Sequence, residues 1–443
     1  MAKPAPKNNF TQTLLIVAMM FLMFQLFMGS KNNQQPDKRT EQDLYNAVWD
    51  QNVRRADNSI LGPKNDYEKR LQEELDAKKI NKAEFDSKKM AAEVLAADAA
   101  YRAAIDAQKQ GDTKGAFNAA TNGYNLLKLV DREYSKSPVW TAPVQVHPDA
   151  HDPRTAVTPK ELLADLVKLS SALGASSPVW GFFPGYQVVD FLVRATGSQP
   201  AFSYAFAALL LAICVRATVW KVAQKQLMWS RQMSQLTPLV NELKEKNTGQ
   251  ELQVKIMALY KEYGMNPAQG CLPLLIQMPF FLLIYYSMVH YRFEFQKGTF
   301  LWVGSSLAHK FPGIVAPNLG EKDFALIVIY GISMVVTTLL TPVQDPSQGK
   351  QQRMMGVAMS VMFPVMMFMP TWNLPSAFVL YWIFLNVLAT TQSIRAYRLP
   401  LPPLVKVNAP GGGVYPTNGQ PTAERYKNTG TPKVHKPKRA KKK

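Results

Sequence analysis

Apolar residues are concentrated in a few long runs, and polar residues fill the stretches between them. A run of about 18 or more nearly uncharged apolar residues can cross the roughly 30 Å hydrocarbon core of a membrane. Six stretches approach that length: residues 11–28, 200–220, 271–289, 323–340, 354–370 and 376–394. The pattern predicts an all-α polytopic membrane protein with six transmembrane helices.

The first stretch, residues 11–28, follows Lys3 and Lys7. A cleaved signal peptide would have the same charged start and apolar centre, but it would end in a small-x-small cleavage motif. No such motif follows here, since the next residues are GSKNNQQ. We therefore favour an uncleaved signal anchor over a cleaved signal peptide, and we assign it to residues 1–29.

The distribution of Lys and Arg between the stretches predicts their orientation, because short cytoplasmic loops carry an excess of both. Residues 221–270 contain seven basic residues and residues 398–443 contain eleven, whereas residues 371–375 contain none. Both termini are then cytoplasmic, and residues 30–178 lie outside. A membrane core over residues 179–397 and a basic tail over residues 398–443 complete the predicted domains.

The outer segment, residues 30–178, is typical of helices. Thr158 and Glu161 form a capping box with Pro159 at the first helical position. Small residues between Ala104 and Gly123 match one tetratricopeptide-like hairpin, although an ordinary alanine-rich helix pair fits equally well. Residues 180–198 mix aromatic side chains with two charges, which favours a helix lying in the outer membrane interface.

The chain has 443 residues with 51 Lys and Arg against 32 Asp and Glu, a formal net charge of +19. The outer segment is neutral, the membrane core carries +7 and the tail carries +10. The tail is rich in Pro, Gly, Asn and Lys and should be disordered. Ribosomal RNA or anionic lipid could attract it. Two cysteines give neither a disulfide framework nor a zinc site, and we predict no metal and no cofactor.

Arg216 is the most informative residue, because a guanidinium inside an apolar span needs a partner or water. It could snorkel towards the headgroups near Lys221 or face a water-filled recess between helices. Six other polar residues in the spans could line the same recess or make hydrogen bonds between helices. They are Gln277, Thr337, Thr338, Asn386, Thr390 and Gln392.

The spans contain neither a carboxylate relay nor the residues of an intramembrane protease, which argues against a transporter and against an enzyme. Residues 224–246 and 250–263 are amphipathic and predict a cytoplasmic helical hairpin within residues 221–270. The fifth span is rich in methionine, whose flexible side chains can pack against many apolar partners. Lipid contact or core packing would also explain this composition.

The start of the third span resembles a known signature. Its residues are Asn266, Pro267, Gly270, Cys271, Pro273, Gln277 and Pro279. Their order and spacing are similar to those of the YidC/Oxa/Albino membrane protein insertases, and the resemblance extends over residues 180–397. Val215-Arg216, Asp345-Pro346 and Tyr381-Trp382 with Asn386 support it.

The resemblance implies a bacterial inner-membrane insertase and chaperone, in which five core helices form a hydrophilic groove and which needs no nucleotide. Arg216 matches the groove arginine, and Gln277, Thr338 and Asn386 are our candidates for the same groove. Met362, Met366, Tyr381 and Trp382 are candidates for an apolar slide along which a substrate enters the lipid. The implied partners are nascent membrane proteins, the ribosome, the Sec translocon and membrane lipids.

A different class of function is an alternative. The membrane part would then be an anchor, and the outer helical segment would bind the subunits of envelope complexes as a non-enzymatic scaffold. Contact of the membrane helices with nascent apolar segments distinguishes an insertase from such a scaffold.

Overall fold

The computed structural model describes residues 39–54, 60–148, 152–265, 272–340, 349–367, 374–400 and 406. The predicted first crossing, nearly all of the basic tail, and Asn266, Pro267, Gly270 and Cys271 of the signature lie outside the described residues. The chain divides into two compact units. The first comprises Met1–Thr218, Gln277–Leu340 and Arg353–Thr390, and the second comprises Val219–Ile276, Thr341–Gln352 and Thr391–Lys443.

The outer segment is helical within the described residues, as the sequence predicts. Its helices are α1 (Glu41–Val53), α2 (Leu61–Asp76), α3 (Lys82–Lys109), α4 (Thr113–Tyr134) and α5 (Pro159–Ser176). Between α4 and α5, β1 (Val144–Gln145) pairs with β2 (Ala156–Val157) in an antiparallel sheet. We call α1 to α5 with this short sheet the outer domain.

Local capping fixes where these helices begin. The Thr158–Glu161 capping box is present at the start of α5, and Thr40 forms another with Asp43 at the start of α1. Asn81 and Asp112 accept hydrogen bonds from backbone N–H groups in the first turns of α3 and α4. Each cap satisfies an N–H that has no partner within its helix.

The pair formed by α3 and α4 packs closely because small residues face each other. A Cβ built on Gly123 would lie 3.1 Å from Ala100 Cβ and 3.1 Å from the Ala97 carbonyl oxygen. The helices contain 28 and 22 residues, so together they exceed the length of one 34-residue tetratricopeptide repeat. Alanine and glycine therefore set the spacing of the pair, and the larger apolar residues pack around it.

The remaining helices follow the outer domain. They are α6 (Gly185–Ala195), α7 (Ser203–Gln235), α8 (Thr237–Lys246), α9 (Gly249–Glu262), α10 (Leu272–His290), α11 (Arg292–Phe295), α12 (Ser306–Lys310), α13 (Phe324–Leu340), α14 (Gly349–Met367) and α15 (Ser376–Arg398).

Each of the five apolar spans predicted for the core coincides with a helix. They are α7, α10, α13, α14 and α15. By length and composition, α7 and α15 could each cross a membrane, and Phe324–Leu340 and Arg353–Met367 are shorter apolar helices. Helix α6 lies where an interfacial helix was predicted.

In the second unit, the predicted helical hairpin is present but its first arm is interrupted. We expected one helix over residues 224–246, whereas α7 ends at Gln235 and α8 begins at Thr237. Pro238 in the first turn of α8 lacks the N–H that a continuous helix would need. The C-terminal part of α7 contacts the C-terminal end of α15. Arg231 Nη1 of α7 donates to the Ala396 carbonyl oxygen of α15 at 2.5 Å.

Within the first unit, the outer domain is joined to the loop that connects α10 to α13. Phe293 of α11 belongs to the apolar core of the outer domain, and its ring lies 5.0 Å from that of Tyr124. A Cβ on Gly174 of α5 would clash with the His290 carbonyl oxygen, so the backbones approach closely there. The start of this loop is therefore part of the packed interior of the outer domain.

Candidate functional site

The candidate site begins with polar side chains that face each other between α13 and α15. Asn386 Nδ2 donates to Ser333 Oγ at 2.9 Å, and Asn386 Oδ1 lies 3.2 Å from Thr337 Oγ1. Thr337 Oγ1 is also 2.8 Å from Thr390 Oγ1. These four residues lie at helical spacing on two predominantly apolar helices. We call Ser333, Thr337, Asn386 and Thr390 the polar seam.

Thr338 lies on the neighbouring face of α13 and is directed to α14. Its Oγ1 is 3.0 Å from Ser360 Oγ, and either hydroxyl can donate. A Cβ built on Gly356 would lie 2.7 Å from Thr338 Cγ2, so the two helices touch at a residue without a side chain. Small residues of this kind let helices in a membrane approach closely. Asn386 and Thr338 therefore meet neighbouring faces of α13, Asn386 through Thr337 and Thr338 through its own hydroxyl.

A second close contact between α13 and α14 occurs at Pro364. A Cβ built on Gly331 would lie 3.1 Å from Pro364 Cγ. Proline has no N–H, so the carbonyl group of Ser360 loses the bond that residue 364 would otherwise donate. The helix that carries the predicted slide therefore continues through Pro364 but lacks one backbone hydrogen bond opposite Gly331.

Arg216 lies in α7 and is partly buried. Its Nε atom is inaccessible to solvent and has no hydrogen-bond partner among the described residues. Within the same part of the chain, neither Arg216 nor Gln277 has a hydrogen bond to the polar seam. The guanidinium thus retains a donor for another group.

Gln277 and Pro279 lie in α10, where both side chains are exposed. The backbone of Pro273 belongs to the same helix, and Pro279 stands inside it. Met278 between them is 46% exposed. Residues 277–279 of α10 therefore present both polar and apolar groups at the surface.

Tyr381 and Trp382, which were predicted to belong to an apolar slide, are both buried. The Trp382 ring is 4.5 Å from Phe378, 5.4 Å from Phe363 and 5.5 Å from Tyr330. It also stacks on Phe281 of α10 at 5.9 Å. Trp382 is therefore the centre of an aromatic cluster that joins α10, α13, α14 and α15.

Met362 and Met366 lie on α14 and are partly buried, while Val361 and Val365 beside them are about half exposed. Among the predicted slide residues, the two methionines are thus nearer the surface than Tyr381 and Trp382. Their side chains are flexible and can pack against irregular apolar surfaces.

The starts of α13 and α15 are held by the loop that contacts the outer domain. Asp323 accepts from the backbone N–H groups of Leu326 at 2.7 Å and Ala316 at 2.8 Å, which caps α13. The Glu321 carbonyl oxygen accepts from the Ser376 N–H at 2.8 Å at the start of α15. One loop therefore fixes the starts of the two helices that carry the seam.

Comparison with known proteins identifies the part of the chain that carries these features. The family model described as 60Kd inner membrane protein matches residues 196–400. Membrane protein insertase YidC of Treponema denticola is 35% identical over 202 residues, which are 43% of this chain and 34% of that protein. Membrane protein insertase YidC 1 of Listeria monocytogenes is 32% identical over 222 residues, which are 48% of this chain and 71% of that protein.

The chain belongs to the YidC/Oxa/Albino family. Membrane protein insertase MisCA of Bacillus subtilis is a further relative, 29% identical over 244 residues and covered over 85% of its length. As a family member the chain is a multi-pass membrane protein. It spans about a third of the length of the Treponema relative, and α1 to α5 lie outside the segment that matches the YidC/Oxa/Albino family model.

Several residues of the YidC-type core were not singled out from the sequence. Ser333 and Ser360 are small hydroxyl residues inside apolar runs, and only their partners on other helices distinguish them. Arg292 and Glu321 were counted as loop residues, although both are buried. A charged residue between two family spans could have been flagged, but nothing in its local sequence reveals a partner more than 150 positions away.

Proposed function

We propose that the chain is a membrane protein insertase and chaperone that inserts, folds and helps assemble integral membrane proteins without hydrolysing a nucleotide. The observation that carries this proposal is the polar seam between two predominantly apolar helices. Polar groups inside a membrane are costly and commonly mark a pathway for polar or charged cargo. Family membership supports the same activity.

Arg216, Gln277, Thr338 and Asn386 line the proposed hydrophilic groove. Arg216 carries a positive charge within a predicted crossing, so we expect it to attract an acidic or polar tail of a substrate. Water and one positive charge part-way into the bilayer shorten the apolar distance that such a tail must cross. The groove thereby lowers the free-energy barrier to translocation without a chemical step.

The transmembrane segment of a substrate then leaves along the third and fifth crossings, α10 and α14. Met362 and Met366 provide an adaptable apolar surface there, and burial of the segment's own apolar area in lipid drives the step. Tyr381 and Trp382 stand behind this surface. A substrate contacts them only when neighbouring aromatic rings such as Phe363 move aside.

In the proposed topology the chain crosses the bacterial inner membrane six times with both termini in the cytoplasm. The hairpin within residues 221–270 and the basic tail then meet the ribosome that synthesises the substrate, and the core contacts nascent membrane proteins, lipids and the Sec translocon. Lys406 at the start of the tail pairs with Glu262 of α9 at 2.7 Å, within one compact unit. This pair is compatible with a common ribosome-facing surface.

Depletion of the protein tests the activity directly. In cells without a second homologue, insertion of a small double-spanning substrate should fall sharply within a few generations. A wild-type copy should restore insertion. Unchanged insertion after depletion would rule the function out.

Substitution of Arg216 tests the groove. Arg216→Ala should impair substrates with acidic translocated tails more than otherwise identical substrates with neutral tails, because the attraction is electrostatic. Arg216→Lys keeps the charge and should retain most of the difference between the two substrates. Equal defects for acidic and neutral tails would contradict the electrostatic role.

The scaffold is a second candidate, because α1 to α5 lie outside the part of the chain that matches the family. Photo-crosslinkers at Met362 and Tyr381 separate the two functions. Crosslinks to nascent apolar segments during translation are expected of an insertase. Crosslinks confined to stable subunits would favour the scaffold instead.

A further inference from the structure

The loop between α10 and α13 exposes large apolar side chains although it is firmly folded. Leu301, Leu307, Phe311 and Ile314 are 68%, 40%, 51% and 54% exposed. We call these four residues the loop patch. Single exposed apolar residues are ordinary, but several within one short segment mark a surface that contacts a partner or a membrane.

The inward side of the same loop is well packed. Val303, Ala308, Val315 and Ala316 are buried. Gly304 N–H donates to the Ala316 carbonyl oxygen at 3.0 Å, which ties the turn that carries Leu301 to the segment after Ile314. The loop patch is therefore the outward apolar face of a fixed structure.

The backbone at Leu301 supports a functional surface. Its φ is 52°, in the left-handed region that large apolar residues seldom adopt. The hydrogen bonds that Phe300 and Val303 exchange across this turn hold it there. Such conformations are found where surrounding contacts enforce them, often at functional sites. Here the result is a leucine directed away from the core.

The position of the loop along the core helices indicates what covers the patch. The Ile314 carbonyl oxygen accepts from the N–H of Phe324, the first residue of α13, at 2.9 Å. Thr299 N–H donates to the Pro200 carbonyl oxygen at 2.8 Å, three residues before α7 begins. The loop thus lies level with the outer ends of two helices that we propose cross the membrane.

We propose that the loop patch inserts into the outer leaflet of the membrane, at the boundary between headgroups and acyl chains. This inference rests on the proposed function, because it uses the crossings assigned to α7 and α13. The patch is a second interfacial anchor besides α6, and it is on a different segment of the chain. His309 and Lys310 are exposed beside it, where a cation can meet anionic headgroups.

The anchor has a consequence for the insertase. The loop that carries the patch also contains Asp323, which caps α13, and Glu321, whose carbonyl group holds the start of α15. Contact of the loop patch with lipid would therefore fix the depth in the membrane at which α13 and α15, the helices that bear the polar seam, begin.

Fluorescent labels at single cysteines test the proposal on the full-length protein in vesicles of phosphatidylethanolamine and phosphatidylglycerol. Cys214→Ser and Cys271→Ser provide the background, into which Leu301→Cys or Phe311→Cys is introduced. Labels at both positions should be quenched by nitroxides near the headgroups and protected from aqueous iodide at least threefold relative to Lys79→Cys in the outer domain. Ile329→Cys, exposed on α13, is the control for a label inside the bilayer.

The quenching results distinguish a failure of the proposed membrane anchor from a failure of the proposed crossing by α13. Iodide quenching at Leu301 and Phe311 equal to that at Lys79, with Ile329 still quenched by lipid, would overturn the anchor and leave the crossings intact. Loss of lipid quenching at Ile329 would instead contradict the crossing itself. Protection that disappears when the protein is diluted into excess lipid would show that a second copy covers the patch, which also overturns the proposal.

Discussion

Arg292 Nη1 donates to Asn125 Oδ1 at 3.1 Å, although the two residues are 167 positions apart in the chain. Arg292 is 4% exposed, its Nε donates to the Gly320 carbonyl oxygen at 3.2 Å, and its guanidinium lies 5.0 Å from the centre of the Tyr124 ring. Lys128 on the next turn of α4 pairs with Glu321 at 3.0 Å. The outer domain is thereby fastened to the loop that holds the outer ends of α13 and α15.

Replacement of Arg292 by alanine should loosen this connection. The Gly320 carbonyl group and the Asn125 amide would lose a buried donor, which costs about 1–3 kcal/mol of local stability. Hydrogen exchange on the full-length protein should show faster exchange in α4 and at the start of α15. Arg194→Ala is the matched control, because that side chain is 75% exposed, and its effect should stay within about 0.5 kcal/mol. Unchanged exchange in Arg292→Ala would show that the outer domain is held by other contacts.

The apolar core helices could be predicted from the sequence because the length of an apolar run alone requires a buried or membrane-spanning element. The Thr158–Glu161 cap could be predicted for a similar reason, since its partners are three residues apart. The break before Thr237 was missed, although Pro238 is a typical first-turn signal. We predicted one continuous helix over residues 224–246 from its amphipathic periodicity and did not treat Pro238 as the start of a new helix.

The candidate site was only partly predictable. Asn386 and Thr338 stand out as polar residues in apolar runs, but their partners Ser333 and Ser360 do not. The burial of Trp382 follows from four helices meeting at one ring, which depends on tertiary packing and on no local pattern. Arg292 had no local signal either, because its partners are supplied by a different domain.

The contact between Gly356 and Thr338 predicts a steric defect that can be rescued. Gly356→Ala places a methyl group 2.7 Å from Thr338 Cγ2, which is well inside van der Waals contact. The added methyl group should push α13 and α14 apart and lower the free energy of unfolding by about 1–3 kcal/mol, as overpacking of protein cores does. Thermal unfolding of the purified protein in detergent should therefore begin at a lower temperature.

Thr338→Ser supplies the matched second variant. It removes Cγ2 and keeps the hydroxyl that meets Ser360, so the double variant Gly356→Ala with Thr338→Ser should regain most of the lost stability. Equal unfolding temperatures for the single Gly356→Ala variant and the double variant would contradict the contact.

A buried carboxyl group in the outer domain predicts a pH dependence. Burial raises the pKa of Glu93 to about 7, even though Lys64 Nζ lies 3.0 Å away and Glu68 shares that lysine. The unfolded chain releases this proton near the ordinary value of 4.5. Between these values the folded state binds more protons than the unfolded state, so stability falls as the pH rises from about 4.5 to about 7.

Glu93→Gln removes this titration and leaves Lys64 paired with Glu68. Hydrogen exchange in α2 and α3 of the full-length protein should show a wild-type stability that declines relative to the variant across that pH range. Comparison at each pH cancels the intrinsic change in exchange rate. Glu84→Gln, at an exposed pair with Lys88, should follow the wild type at every pH. A constant difference between wild type and Glu93→Gln would refute the raised pKa.

The polar seam predicts that Asn386 couples α15 to α13 and also serves the substrate. Asn386→Leu removes both hydrogen bonds of the side-chain amide, and bonds of this kind in membranes contribute about 0.6 kcal/mol each on average. The losses in free energy of unfolding caused by Ser333→Ala and Asn386→Leu should not add up in the double variant, because either change alone already breaks the bond that the two side chains share.

Insertion of substrates with polar tails should fall in Asn386→Leu, whereas Val387→Leu on the exposed side of α15 should insert them normally. Strictly additive stabilities together with normal insertion would show that the seam neither couples the helices nor takes part in insertion.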